Sequence, residues 1–327
     1  MTSKTKRTLL AAAAGLLALA AGPSLAQQDW PNKPVKIIVG YVPGGGPDMV
    51  ARALGQKLAD ILGQPFVVEN RPGAGGALSN STVAKSAPDG YTLLLGETGQ
   101  LVVLPYLNKS SNFNPLKEFA PVAMVTSEPL LVVASPKAQM KTLADLVRSA
   151  KDSPGKIPYG SSGLGTIHHI TGEMLQAETG ISLMHVPYKG SGQSVPAALA
   201  GDVPVLITSF AGAGPHIRAG TLNLLAVTSP NRIPSSPNVP SVAEFAKVDF
   251  DFQSEMGVLA PAGTPPAVVS KLSAAIKQAT ESPDFVAKFK DTATVMNYKT
   301  PAEYTENLRR NLAKYEKAAK VAKLQGE

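Results

Sequence analysis

Two glycine-rich turns carry the chemistry most directly readable in this chain. The first, Tyr41-Val42-Pro43-Gly44-Gly45-Gly46-Pro47-Asp48, follows the apolar run Val35 to Val39. The second, Gly160-Ser161-Ser162-Gly163-Leu164-Gly165-Thr166, follows Ile157-Pro158-Tyr159. Each opens into an amphipathic helical pattern. Backbone N–H groups at a helix start, helped by the positive end of the helix, hold an anion without a cationic side chain. Two such turns facing each other would form an anion clamp.

Other chemistries fit less well. His168-His169 falls in the first turns of a helix, where adjacent side chains point about 100° apart, so the pair reads as helix-terminus or interlobe hydrogen bonders rather than metal ligands. Gly160-Ser161-Ser162-Gly163-Leu164 lacks the last glycine of a nucleophile elbow. Neither turn has the Gly-Lys-Ser/Thr of a P-loop or a Gly-x-Gly-x-x-Gly fingerprint. Lys189 reads as a solvated turn lysine. The chain has no cysteine, which excludes thiol catalysis, disulfides and thiolate metal sites. No cofactor or metal is expected. Aromatic residues at 6% and few clustered lysines argue against a nucleic-acid surface.

The elements that would position these turns lie in a chain that reads as exported. Lys4, Lys6 and Arg7 precede an apolar run from Leu9 to Ala21, and Ser24-Leu25-Ala26 offers the small residues a signal peptidase needs. The run breaks at Gly22-Pro23, short of the roughly 20 residues of a membrane span. Lys6-Arg7 is not a twin-arginine pair. Residues 1–26 are therefore expected to be a cleaved signal peptide. Its loss removes three positive charges and takes the formal charge from +7 to +4.

Beyond it, short apolar strands alternate with helical patterns, which predicts α/β sheets, mixed but mostly parallel and covered on both faces. Strands are expected at 35–39, 66–69, 91–95, 122–125, 130–134, 157–159, 184–186, 205–208, 224–227 and 257–260. Val50, Leu54, Leu58 and Ile61 recur at helical spacing until Gly63, and Ile167, Ile170, Met174 and Ala177 do so until Gly180. Leu308, Leu312 and Tyr315 mark a closing helix with a charged outer face. Chain crossings near Glu128-Pro129 and Gln253 divide the chain into one unit of residues 27–128 with 254–327 and a second of 129–253.

Seven blocks, in order, resemble the solute receptors of tripartite tricarboxylate transporters, also called Bug proteins. They are Lys33 to Val39 with Pro43 to Asp48, Val68 to Gly76, Pro88 to Leu94, Tyr159 to Thr166, His185 to Gly190, Pro215 to Gly220 and Leu259 to Pro265. The resemblance implies a two-lobed, type II periplasmic-binding-protein architecture, with a small organic acid held between lobes joined by two crossing strands. It also implies a periplasmic location, a membrane permease as partner and no enzymatic activity; a monomer is expected. It places Tyr41, Pro43, Gly44, Gly45, Gly46 and Asp48 on one jaw and Gly160, Ser162, Gly163, Gly165 and Thr166 on the other. Asp48 itself reads as a helix cap or turn former, because a carboxylate would repel an acid. Thr98, Pro187 and Ser209 complete the candidate contacts.

Departures from the family pattern fall at Gly96 to Gln100, Thr208 to Gly212 and Gln253 to Gly257. Glu97 and Glu255 bring acids there, so an amide-bearing or amino acid ligand is an alternative to a dicarboxylate, with either glutamate receiving its donor group. A solvent-exposed carboxylate is the bland alternative for each. Two other classes stay open at this point: an exported hydrolase using Ser162 or His168, and an envelope protein that binds a partner or senses a ligand without a permease.

Overall fold

The computed structural model describes residues 30–107 and 113–322; the expected signal peptide, residues 1–26, lies outside the described residues. In chain order the strands are β1 (Val35–Val39), β2 (Phe66–Asn70), β3 (Thr92–Glu97), β4 (Phe119–Pro129), β5 (Leu131–Ala134), β6 (Pro158–Ser161), β7 (Met184–Pro187), β8 (Val205–Thr208), β9 (Asn223–Val227), β10 (Gln253–Pro261) and β11 (Val295–Lys299). They form a six-stranded sheet, β11-β4-β10-β3-β1-β2, and a five-stranded sheet, β7-β6-β8-β5-β9.

Helix α1 (Gly46–Leu62) starts from the first glycine turn, with Pro47 in its first turn where no N–H is needed. It buries Val50, Leu54 and Leu58 and ends at Gly63, whose φ of 72° is a left-handed cap. Helix α2 (Ile167–Thr179) starts from the second turn and ends the same way at Gly180, φ 64°. Ile170, Met174 and Leu175 supply its buried face; Ala177 is exposed. Helix α3 (Phe210–Arg218) follows β8, and helix α4 (Pro301–Val321) comes after every strand.

The sheets are mixed, but not mostly parallel: four of the nine strand pairings are parallel. The chain leaves the first sheet along β4 and returns along β10, so these neighbours run in opposite directions. Strand β5 is likewise antiparallel to both its neighbours. Strand β11 was not foreseen. It is a half-exposed edge strand whose sequence, Val-Met-Asn-Tyr-Lys, lacks the apolar continuity of the buried strands.

The crossing points are tied together. Ser254 and Glu128 face each other across β10 and β4, as do Gln253 and Pro129. Just beyond, the buried Thr228 hydroxyl accepts from Leu130 N–H at 2.8 Å and lies 2.5 Å from the Phe252 carbonyl oxygen, to which it donates. One apolar core runs past the crossings, joining Ile38 and Leu94 of the first sheet, Leu130, Val132, Ile170 and Leu175, and Leu308 and Tyr315 of α4.

Candidate functional site

A cavity of about 520 Å³ lies between the two sheets. Three helix starts reach it. Gly46 and Pro47 bring in the start of α1, Thr166, Ile167 and His168 that of α2, and Ser209 and Ala211 that of α3. Among the described residues, no lysine or arginine lines it.

Of the sequence-predicted site residues, Tyr41, Gly46, Glu97, Ser162, Gly165, Thr166 and Ser209 line this cavity. The others do not, for reasons visible in the geometry. Pro43 and Gly44 are exposed at the outer edge of the first turn, and Gly45 is the N-cap behind the lining. Gly160 sits inside β6, where an added Cβ would come 3.0 Å from Leu206 Cδ1. Pro187 is exposed at the end of β7. Thr98 accepts a hydrogen bond from Glu255 N–H at 2.8 Å and so fastens the end of β3 to β10.

Glu255 is a correction. Side chains alternate along β10, so Ser254 and Met256 face the cavity while Glu255 faces α4. There its Oε2 accepts from the buried Asn307 and Asn311 amides, each at 2.6 Å. It does not line the cavity, and it is half-buried against α4 rather than a solvated surface acid.

Several amides expected to grip an anion are already used within the turns. Gly44 N–H donates to Asp48 Oδ2 at 3.0 Å, Gly163 N–H to Ser161 Oγ at 3.1 Å and Gly165 N–H to His169 Nδ1 at 3.0 Å. Asp48 is buried, away from the cavity lining, as the hub of the first turn. It also accepts from Arg52 Nε at 3.0 Å and Asn70 Nδ2 at 2.9 Å. Burial pulls its carboxyl up, but the bonds from Arg52, Gly44 and Asn70 win and hold it below the usual range. The start of α1 carries no side-chain cap; Pro47 has no N–H and Met49 N–H bonds the Gly45 carbonyl, which leaves the N–H groups of Gly46 and Asp48 without a protein partner among the described residues.

The second turn is held by imidazoles. His169 stacks on His185 with ring centroids 3.8 Å apart and planes 7° apart. His185 Nε2 meets Ser161 Oγ at 2.7 Å, and His168 Nδ1 meets Ser162 Oγ at 2.5 Å. Burial pushes all three imidazoles down to about 4, so they are neutral near pH 7. Glu173, four residues after His169, lies 3.8 Å from its Nε2. No group of three His, Cys, Asp or Glu side chains among the described residues is arranged to hold a metal ion. His168 Nε2 is buried with no partner. The Ser162–His168 contact therefore lacks the orienting acid of a hydrolytic triad.

Two acids line the cavity. Glu97 Oε2 accepts from Tyr41 Oη at 2.6 Å and Gly99 N–H at 2.9 Å, and Oε1 from Ser254 Oγ at 2.8 Å. Glu128 was missed as a site residue: in sequence it marked only a crossing. Its Oε1 accepts from Phe210 N–H, at the start of α3, and Oε2 from Thr294 Oγ1, both at 3.1 Å. Burial pushes both carboxyls up, outweighing these donors.

Fold and cavity together define a two-lobed binding protein of the periplasmic type. The tripartite tricarboxylate transporter family receptor model matches residues 50–321, and the chain belongs to that family. It is 37% identical to protein BugT of Bordetella pertussis over 285 residues, covering 86% of this chain and 87% of BugT. The solved structure of R. palustris Rpa4515 with adipate is similar at 30% identity and TM-score 0.81, over 91% of this chain and 100% of that one. MatC from Rhodopseudomonas palustris with bound malate is similar at 28% identity and TM-score 0.75, over 88% and 99%.

Proposed function

We propose that this chain is an exported solute receptor that closes two lobes over a small carboxylate and presents the closed form to a membrane permease. The observation that carries this reading is the convergence of helix starts from both sheets on one cavity without a cationic side chain. Such helix starts favour an anion through oriented N–H groups. The adipate and malate named with two similar structures agree with that chemistry.

In this reading, residues 1–26 are the cleaved leader, residues 27–128 with 254–327 form one lobe, and 129–253 form the other. The lobes rotate about the crossings at Pro129–Leu130 and Phe252–Gln253, a hinge closure of intact bodies. The receptor works as a monomer and needs no covalent chemistry. Contacts to the carboxylate come from the first-turn N–H groups of α1, from the Ser209 hydroxyl, and from the Ser162 hydroxyl when His168 Nδ1–H donates to its oxygen; Tyr41 and Thr166, whose protons go to Glu97 and to the Gly163 carbonyl, line the cavity as acceptors. Isothermal titration against organic acids and amino acids, paired with small-angle scattering, tests it. Saturable binding that makes the molecule more compact is expected. Turnover of a bound ester or amide that Ser162→Ala abolishes would overturn it in favour of a hydrolase.

A further inference from the structure

An all-carboxylate ligand leaves one side of this cavity unexplained. Glu97, Ser254 and Glu128 form an acid–hydroxyl–acid row: Ser254 donates to Glu97 and lies directly across the β10–β4 pairing from Glu128. All three line the cavity, both glutamates are 7% exposed, and neither has a lysine or arginine partner among the lining residues. A carboxylate accepts about four hydrogen bonds. Glu97 spends its capacity on Tyr41, Ser254 and the backbone N–H groups of Gly99 and Gln100, whereas the two named partners of Glu128 leave it room for more.

The hydroxyl protons decide the polarity of this wall. Tyr41 and Ser254 each have one proton, and both are committed to Glu97. Their oxygens therefore offer only lone pairs to an occupant. With Glu128 beside them, the wall is built of acceptors. The start of α1 supplies donors elsewhere in the same cavity, that of α3 already spends its Phe210 N–H on Glu128, and much of the remaining lining is apolar, including Val103, Leu104, Leu130 and Met256.

We infer that the ligand is a carboxylate whose other end is an N–H donor, a protonated amine or a carboxamide, received by Glu128 and by the oxygens of Tyr41 and Ser254. This rests on the receptor reading above and names the substrate class of the same site. A second carboxylate at that end would meet two acids and two committed hydroxyls, with the Ser209 hydroxyl, beside Phe210, left to offset them alone.

The test titrates the full chain, freed of any co-purified ligand, with matched series: succinate, glutarate and adipate against the amine-ended and monoamide twin of each. At least one nitrogen-ended member is expected to bind tenfold or more tighter than its dicarboxylate. Glu128→Gln is expected to weaken the amine-ended member at least tenfold and to narrow its lead over the dicarboxylate. If that variant fails to fold, Ser254→Ala should narrow the same lead, and the wild-type ranking alone still decides. Dicarboxylates that bind while their nitrogen-ended twins do not would overturn the inference and leave the receptor reading standing. If neither series binds, nor any other carboxylate in the wider panel, the receptor reading falls and the inference with it.

Discussion

The two glycine turns look alike in sequence and are held in opposite ways. The first is fixed by charge: Asp48 gathers Gly44, Arg52 and Asn70, and the helix behind it begins without a side-chain cap. The second is fixed by neutral imidazoles, and Thr166 caps its helix by accepting from His169 N–H at 3.3 Å. The same local device therefore leaves different groups for a ligand. The first turn leaves backbone amides, and the second leaves a side chain, Ser162, whose hydroxyl meets His168 Nδ1 at the cavity wall.

Acid should break this symmetry most widely, because it acts on three groups at once. His168, His169 and His185 sit at about 4 in the folded protein against an ordinary value of 6.5. Between those values the unfolded chain binds protons that the folded one refuses, so their contribution to stability is lost as pH falls from 6.5 towards 4. Asp48 behaves differently. Its folded value lies below 3.8, so its contribution is lost only below that pH. Glu97 and Glu128, raised by burial, oppose the histidine trend above 4.5, since the folded state holds their protons more tightly. Hydrogen exchange, corrected for intrinsic rate, should show residues 158–170 loosening between pH 7.5 and 5 while residues 41–50 hold. Equal loosening of both would show that the imidazoles do not distinguish the turns.

Asp48→Ala comes next. It strips the hub of the first turn of hydrogen bonds to a charged acceptor, and should cost about 2–3 kcal/mol in denaturant unfolding. Ligand affinity should fall with it. Thr166→Ala removes a true cap and should cost about 1 kcal/mol. A loss as large as that of Asp48→Ala would mean the cap, rather than the imidazoles, holds the second turn.

The smallest effect is the sharpest test. Gly45 has φ −78° and ψ 169°, conformations open to any residue, and an added Cβ would meet nothing closer than 3.7 Å. Backbone restriction is therefore not what requires glycine there; among the first-turn glycines positive φ occurs at Gly44, 85°. Gly45→Ser should supply the missing cap, raise stability by a few tenths of a kcal/mol, and weaken ligand binding by competing for the same amides. Tighter binding on calorimetry would remove those amides from the site.

Much of this was legible because it is local. Glycine turns, helix stops at Gly63 and Gly180 and the crossings near residues 128 and 253 are written in short stretches. What depended on partners far along the chain was not. Glu255 was placed on the wrong side because a shift of one residue on a strand reverses its face, and only Asn307 and Asn311, some fifty residues on, reveal its direction. Glu128 and Ser254 become neighbours through a pairing across more than a hundred residues. The glycine amides were overcounted for a related reason: His169 and Ser161 claim two of them at close range, and glycine spacing alone carries no record of such claims.

The place of β10 in the six-stranded sheet constrains how this molecule can be made. It sits between β3 and β4, yet it is the tenth in chain order of the eleven strands among the described residues. Until it is made, β3 keeps one bare edge and β4 has no neighbour on either side, an arrangement prone to wrong pairing. Closing so distant a contact is also slow. A nascent chain cut before Gln253 would hold a finished five-stranded sheet and an open half of the other, so maturation of the receptor is gated by its final quarter.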